Sequence, residues 1–261
     1  METHAQELHK APGHGWRHYL FEFFMLFLAV FCGFMAENER EHLVENQKEK
    51  EYVNSMMEDL KKDSAFLMLT MHKLIPYHLM WLDSTIRLLE LADKKGKDRQ
   101  IYQADFLGTA WDYDYFPTER TLSQLRSTAY ELIRNKNAAK AMSQLEDDYN
   151  FYFKWNTYVQ DRQNELDYGA GAFADRNVVD SIAFMAFRTV QNDPLIDLKL
   201  SDIPSSAALK ISDAGALKTY LEKLKDYAYY LQANIKPEHA LYLNFITKTM
   251  QVIRAEYDLH D

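Results

Sequence analysis

The chain has 261 residues, of which 47% are hydrophobic and 26% charged, and it carries a formal net charge of -9. These proportions suit a folded globular protein, and the acidic balance without a basic stripe disfavours nucleic-acid binding, which needs clustered Lys and Arg to neutralise phosphates. One cysteine, Cys32, rules out an intrachain disulfide and a cysteine-based zinc site, while only eight glycines and six prolines favour long helices over a turn-rich β fold.

Residues 1–15 read as a short tail. Residues 16–36 read as a transmembrane helix, because 23–36 (FFMLFLAVFCGFMA) holds fourteen residues without a charge. Extended back to Tyr19, the segment spans roughly 27 Å as a helix, close to the hydrocarbon thickness of a bilayer. Trp16 and Tyr19 stand at its edge as interfacial aromatics do, Arg17 and His18 mark the headgroup side, and Glu37, Glu39, Arg40 and Glu41 end it abruptly. The alternatives are a buried core helix, which this segment exceeds in apolarity, and a cleaved signal peptide, for which Phe34 is too large near the candidate cleavage site after Ala36. The expected protein is therefore a single-pass signal anchor. The short tail is expected in the cytoplasm and the remaining mass outside it, since a long C-terminal domain crosses regardless of its charge. The cysteine-free remainder is compatible with an oxidising compartment.

Helix is expected to run on from the span through residues 37–70 as a stalk. This stretch lacks Gly and Pro, and Val53, Met56, Met57, Leu60, Ser64 and Leu67 recur at helical spacing opposite Glu49, Lys50, Glu58, Lys61 and Lys62. Its charged section, 37–51, reads as solvated, with a coiled-coil oligomer seam as the alternative. Residues 71–261 should form a helical bundle with the stalk. Pro76 interrupts the next segment, which resumes with Leu79, Leu82, Ile86 and Leu89 and ends at Lys94-Lys95-Gly96-Lys97. Residues 98–118 read as irregular, with turns at Gly108 and Pro117. A helix is expected over 119–135 on Leu122, Leu125, Ala129 and Leu132, with Thr118 as its N-cap. A long helix over 138–167 follows, on Met142, Leu145, Tyr149, Tyr152, Trp155, Val159 and Leu166. It breaks at Gly169 and Gly171, and a short helix follows over 178–190. After a loop, 213–235 and 237–257 read as an antiparallel helix pair with Pro237 in a first-turn position. No strand-like alternation or long repeat is visible, so the fold class is all-α.

The sharpest candidate for chemistry is Glu22. An acid within a span is costly and often functional. Here it sits within about one turn of the interface, where it can snorkel and pair with His18 four residues earlier, and the structural reading leads. Trp111, Asp112, Tyr113, Asp114 and Tyr115 form an acidic, aromatic loop that could contact a partner, although packing of its rings on the bundle is the stronger reading. Glu146-Asp147-Asp148 is the only run of three acids, but adjacent helical positions point apart, which favours a solvated face. His72 and His78 flank Pro76 and do not share a face. With no HExxH pattern, no metal site is expected. Gly169 and Gly171 lack a nucleotide-binding context, no GxSxG or P-loop is present, and the tyrosines, Tyr227, Tyr229 and Tyr230 among them, read as core.

Trp16-Arg17-His18-Tyr19-Leu20-Phe21-Glu22 with the apolar run and its Asn/Glu-rich exit resembles the start of a bacterial family of single-span, N-terminally anchored membrane proteins of unknown function. Phe116-Pro117-Thr118-Glu119-Arg120-Thr121-Leu122-Ser123-Gln124-Leu125-Arg126-Ser127, followed by Glu131-Leu132-Ile133-Arg134-Asn135, is similar to a second stretch of that family. Together they cover about a quarter of the chain. Where the family has Gly soon after that serine, this chain has Thr128-Ala129, and its span is Phe-rich rather than aliphatic. The resemblance implies an N-terminal anchor and a helical domain and supplies no catalytic residue; with the orientation expected above, the setting is a bacterial inner membrane with the domain periplasmic. The expectation is a non-enzymatic, membrane-anchored interaction or scaffold protein, without cofactor, that contacts the lipid bilayer and a protein partner or further copies of itself. Two alternatives stand beside it: an extracytoplasmic ligand-sensing domain, and a subunit of an ion-translocating assembly that uses Glu22.

Overall fold

The computed structural model describes residues 15–110, 118–127, 132–189, 195–211 and 213–259, and these fall into two units that meet between Glu51 and Tyr52. The described residues are helical, with no strand among them.

The first unit is the leading part of α1 (Trp16–Leu69). It contains one stretch long and apolar enough to cross a membrane, with a mean hydropathy of 2.1 over eighteen residues, none of them buried. Phe23, Phe27 and Phe31 stack in a ladder along one face, with ring centroids 6.5 and 6.0 Å apart. This is the meeting of side chains four residues apart on a helix. Past the apolar stretch, Arg40 pairs with Glu37 and Gln47 with Glu51 on the exposed surface.

The second unit is built on three long rods. The end of α1 runs through a π-helical turn (Thr70–Leu74) into α2 (Ile75–Glu90). The next rod is α5 (Lys136–Gly169). The third runs from α7 (Ala214–Tyr230) through a second π turn (Leu231–Ile235) into α8 (Lys236–Tyr257). The first half of α5 packs on α8 and its last part on α7, so the two run antiparallel. The end of α1 likewise shares a core with α8, and α2 with α7. The expected stripe on α1 is the face that packs: Val53, Met56, Met57, Leu60 and Leu67 are buried, each contributing roughly 1.5–3 kcal/mol by leaving water. Glu49, expected on the solvated face, is buried instead, as are Asp59 and Asp63.

Both prolines read as boundaries lie inside continuous helix. Ile75 N–H reaches back five residues to the Thr70 carbonyl just before Pro76, and Lys236 N–H reaches the Leu231 carbonyl just before Pro237. The wider turn places the proline, which has no N–H to donate and a ring that crowds the preceding turn, where the α ladder is already interrupted. Residues 213–257 are therefore one rod, not the expected antiparallel pair.

Residues 98–109, expected to be irregular, form α3 (Asp98–Thr109), which packs along α2. Gly108, read as a turn residue, is a contact residue: a Cβ there would sit 3.0 Å from the Leu82 backbone nitrogen. A chain reversal at Gly96, with φ of +74°, joins α2 to α3. After Thr118 the described helix is α4 (Glu119–Ser127), and the expected helix does not run through to Asn135: residues 132–135 are not helical, and Asn135 is the N-cap of α5, accepting from the Asn137 and Ala138 amides. α6 (Arg176–Thr189) packs beside α3 and closes a third apolar cluster with Ile196, Leu198 and Ile203.

Candidate functional site

Two buried acids of α1, four residues apart on one face, hold the start of α4. Asp63 accepts from both the Thr118 N–H and its hydroxyl, at 3.1 and 2.8 Å, and Asp59 accepts from the Thr121 N–H and hydroxyl, at 3.3 and 2.6 Å. Thr118 stands at the expected N-cap position directly before Glu119, and the Thr121 amide is taken by an acid from another helix. Carboxylates at a helix N-terminus satisfy orphan N–H groups and meet the positive end of the helix dipole. Both acids have a structural task.

A third buried acid is arranged differently. Asp105 lies on α3, only 7% exposed, on the face that also buries Ile101 and Tyr102. Tyr220 of α7 donates its hydroxyl to Asp105 Oδ1 at 2.5 Å. Gly169, at the end of α5, admits that tyrosine: a Cβ there would stand 2.7 Å from Tyr220 Cδ2. Phe173 packs against Tyr220 and Tyr102, with ring centroids 5.2 and 6.5 Å apart, and Tyr102 is fixed by accepting from Asp175 N–H at 2.6 Å. Burial pushes the Asp105 carboxyl up to about 7, against the lowering effect of the Tyr220 hydroxyl, and drives the Tyr220 phenol well above its usual range.

Asp105 opens onto a cavity of about 210 Å³ bounded by α3, the end of α5 and α6. Phe106, Leu166, Val179 and Ile182 supply apolar wall. At the rim Arg176 bridges two acids, meeting both oxygens of Asp167 at 3.2 Å and Asp180 Oδ1 at 3.1 Å. The sequence reading missed Asp105, Tyr220 and Arg176. Asp105 was hidden in a stretch read as irregular, and its one visible signal was a lone acid at helical spacing from Ile101 within an apolar face.

Two further buried polar groups stand elsewhere in the bundle: His78, weighed in the sequence only as a metal ligand, and His239, which the sequence did not single out. His78 and His239 each follow a π turn and its proline at the same offset, and burial lowers both to about 4. His239 Nδ1 lies 2.9 Å from the Ile235 carbonyl, and His78 faces the Leu107 and Gly108 carbonyls.

Glu22, Glu146, Asp147, Asp148, Tyr227, Tyr229 and Tyr230 do not line this cavity. Glu22 is exposed on α1, its Oε1 3.1 Å from His18 Nε2. Trp111, Asp112, Tyr113, Asp114 and Tyr115 lie outside the described residues. Glu146 is paired with Arg126 at 2.5 Å, Asp148 accepts from Gln144, and Asp147 is exposed. Tyr227 and Tyr230 are core, whereas Tyr229 is exposed. Among the described residues no group of three His, Cys, Asp or Glu side chains is placed to hold a metal ion. Compared with known proteins, the chain matches no family model, no curated protein and no solved structure.

Proposed function

We propose that the chain is a single-span membrane protein whose helical bundle works by binding another protein or further copies of itself, rather than by catalysis. The observation that carries the reading is the charge-free apolar stretch of α1, none of which is buried. In water such a stretch exposes more contiguous apolar surface than the few hundred Å² a soluble monomer tolerates, and a bilayer covers it. Residues 37–70 then serve as a stalk. The resemblance at residues 16–22 supports the anchor, and on this reading it lies in a bacterial inner membrane with the bundle on the periplasmic side. Pairing of Glu22 with His18 accounts for that acid without an ion-translocating role. On this reading Glu22→Gln leaves insertion and assembly unchanged.

The test uses the full chain. Membranes carrying it are washed with alkaline carbonate, and the protein is then measured by crosslinking and native mass in a bilayer mimic. Retention in the membrane pellet and a mass above one chain are expected. Release into the wash overturns the anchor, and a monomer that recovers no partner overturns the binding role.

A further inference from the structure

The cavity beside Asp105 has no task in an anchored scaffold, and its chemistry is specific. Its innermost polar group is a carboxylate more than nine-tenths buried, with one oxygen held by Tyr220. Among the described residues no Lys, Arg or His pairs with Asp105, which lines the cavity, and no second donor reaches its carboxyl, so Oδ2 has no partner. The one guanidinium of the lining, Arg176, is engaged by Asp167 and Asp180. The lining therefore carries three carboxylates against one cation.

We infer that this cavity binds a small organic monocation, a primary ammonium on a short apolar body, with Asp105 Oδ2 as its counter-ion. A buried carboxylate lacking a cationic partner is costly, and an ammonium donating to it supplies both the charge and the missing hydrogen bond. Anions are excluded by the net negative lining. A bare metal ion lacks converging ligands among the described residues. Nucleotides and peptides are excluded by size, since about 210 Å³ lies below the ~300–1,000 Å³ of pockets for drug-sized ligands. The walls formed by Phe106, Leu166, Val179 and Ile182 suit an alkyl body. Gly169 keeps Tyr220 in place to orient the carboxylate, so the site is preformed in the unliganded fold. The inference concerns the bundle alone and is independent of the membrane reading.

Binding also displaces a proton at pH 6, because the empty site holds Asp105 largely neutral there. The charged or titratable groups facing it are Tyr102 on α3, Asp167 on α5, Arg176 and Asp180 on α6, and Tyr220 on α7.

The test is calorimetric titration of the full chain in detergent with n-butylammonium, and with n-butanol as the uncharged isostere. Saturable binding of one ammonium per chain is expected, with the alcohol and the Asp105→Asn variant each at least about tenfold weaker. Proton release on binding, read from the dependence of heat on buffer at pH 6, should vanish in Asp105→Asn. Ala183→Phe, at the cavity wall, leaves the acid intact and should also abolish binding, which keeps the test decisive if Asp105→Asn fails to fold. No binding to the wild type, equal affinity for the alcohol, or undiminished binding by Ala183→Phe overturns the inference.

Discussion

Burial pushes the Asp105 carboxyl up to about 7, so between about 4 and 7 the folded chain holds a proton that the unfolded chain has released. Its contribution to stability is full below that window and is lost as pH rises through it. The two buried histidines act in the opposite sense. With His78 and His239 lowered to about 4, the unfolded chain binds protons between about 4 and 6.5 that the folded chain does not, so their contribution falls as pH drops through that range. Asp105→Asn removes the first effect and keeps the second. The stability of the variant relative to wild type should grow with pH from about 5 and level off above about 7, as read by urea unfolding in micelles at constant detergent. A pH-independent difference would show that Asp105 ionises normally. Gly169→Ala puts a methyl 2.7 Å from Tyr220 Cδ2 and should destabilise by ~1–3 kcal/mol in the same assay. Neither residue was legible in the sequence. Asp105 becomes distinctive only when α7 delivers Tyr220 across 115 positions, and Gly169 reads as a helix break because nothing local shows the ring it admits.

At the scale of the elements, the two π turns are the shared device. Each is followed at once by a residue, a proline, another residue and a buried histidine: Ile75-Pro76-Tyr77-His78 and Lys236-Pro237-Glu238-His239. Their carbonyl-to-amide span of five residues carries each rod past its proline. Deleting the exposed Gln232 should return the second rod to ordinary α spacing and bring Pro237 against the preceding carbonyl, at a cost of about 3 kcal/mol. In a Pro237→Ala background the same deletion should cost much less, and a double-mutant cycle of urea midpoints measures the coupling. Equal costs in both backgrounds would detach the π turn from the proline. Proline is a sound marker of a boundary in an α-helix, so reading Pro76 as an interruption and 213–257 as two helices followed from the local rule. The rule failed because tertiary packing on both sides of each turn holds the rod together. The stripes themselves were legible: Met142, Leu145, Tyr149, Val159 and Leu166 all face the core, because a 3.6-residue period survives whatever the rod packs against.

For the molecule as a whole, the apolar run and the all-helical class could be read directly, since both depend on composition and period within one segment. The antiparallel pairing of the rods and the cavity between α3, α5 and α6 depend on contacts between segments far apart in the chain, which no local pattern encodes. The same long range sets an order of events for α4. The acids at its start belong to α1, and a peptide of its described residues falls below the ~12–15 that an isolated helix needs in water. A peptide of residues 118–127 should therefore show no helix by circular dichroism, and Asp59→Ala in the full chain, which strands the Thr121 amide and hydroxyl, should cost ~1–3 kcal/mol. Asp59 and Asp63 belong to a helix whose apolar face is covered by Met142 and Leu145 of α5 and by Ile246 and Ile253 of α8, all later in the chain than Thr118. The platform that receives α4 is therefore complete only after segments synthesised later have packed, and the start of this helix reports on the assembly of the whole bundle.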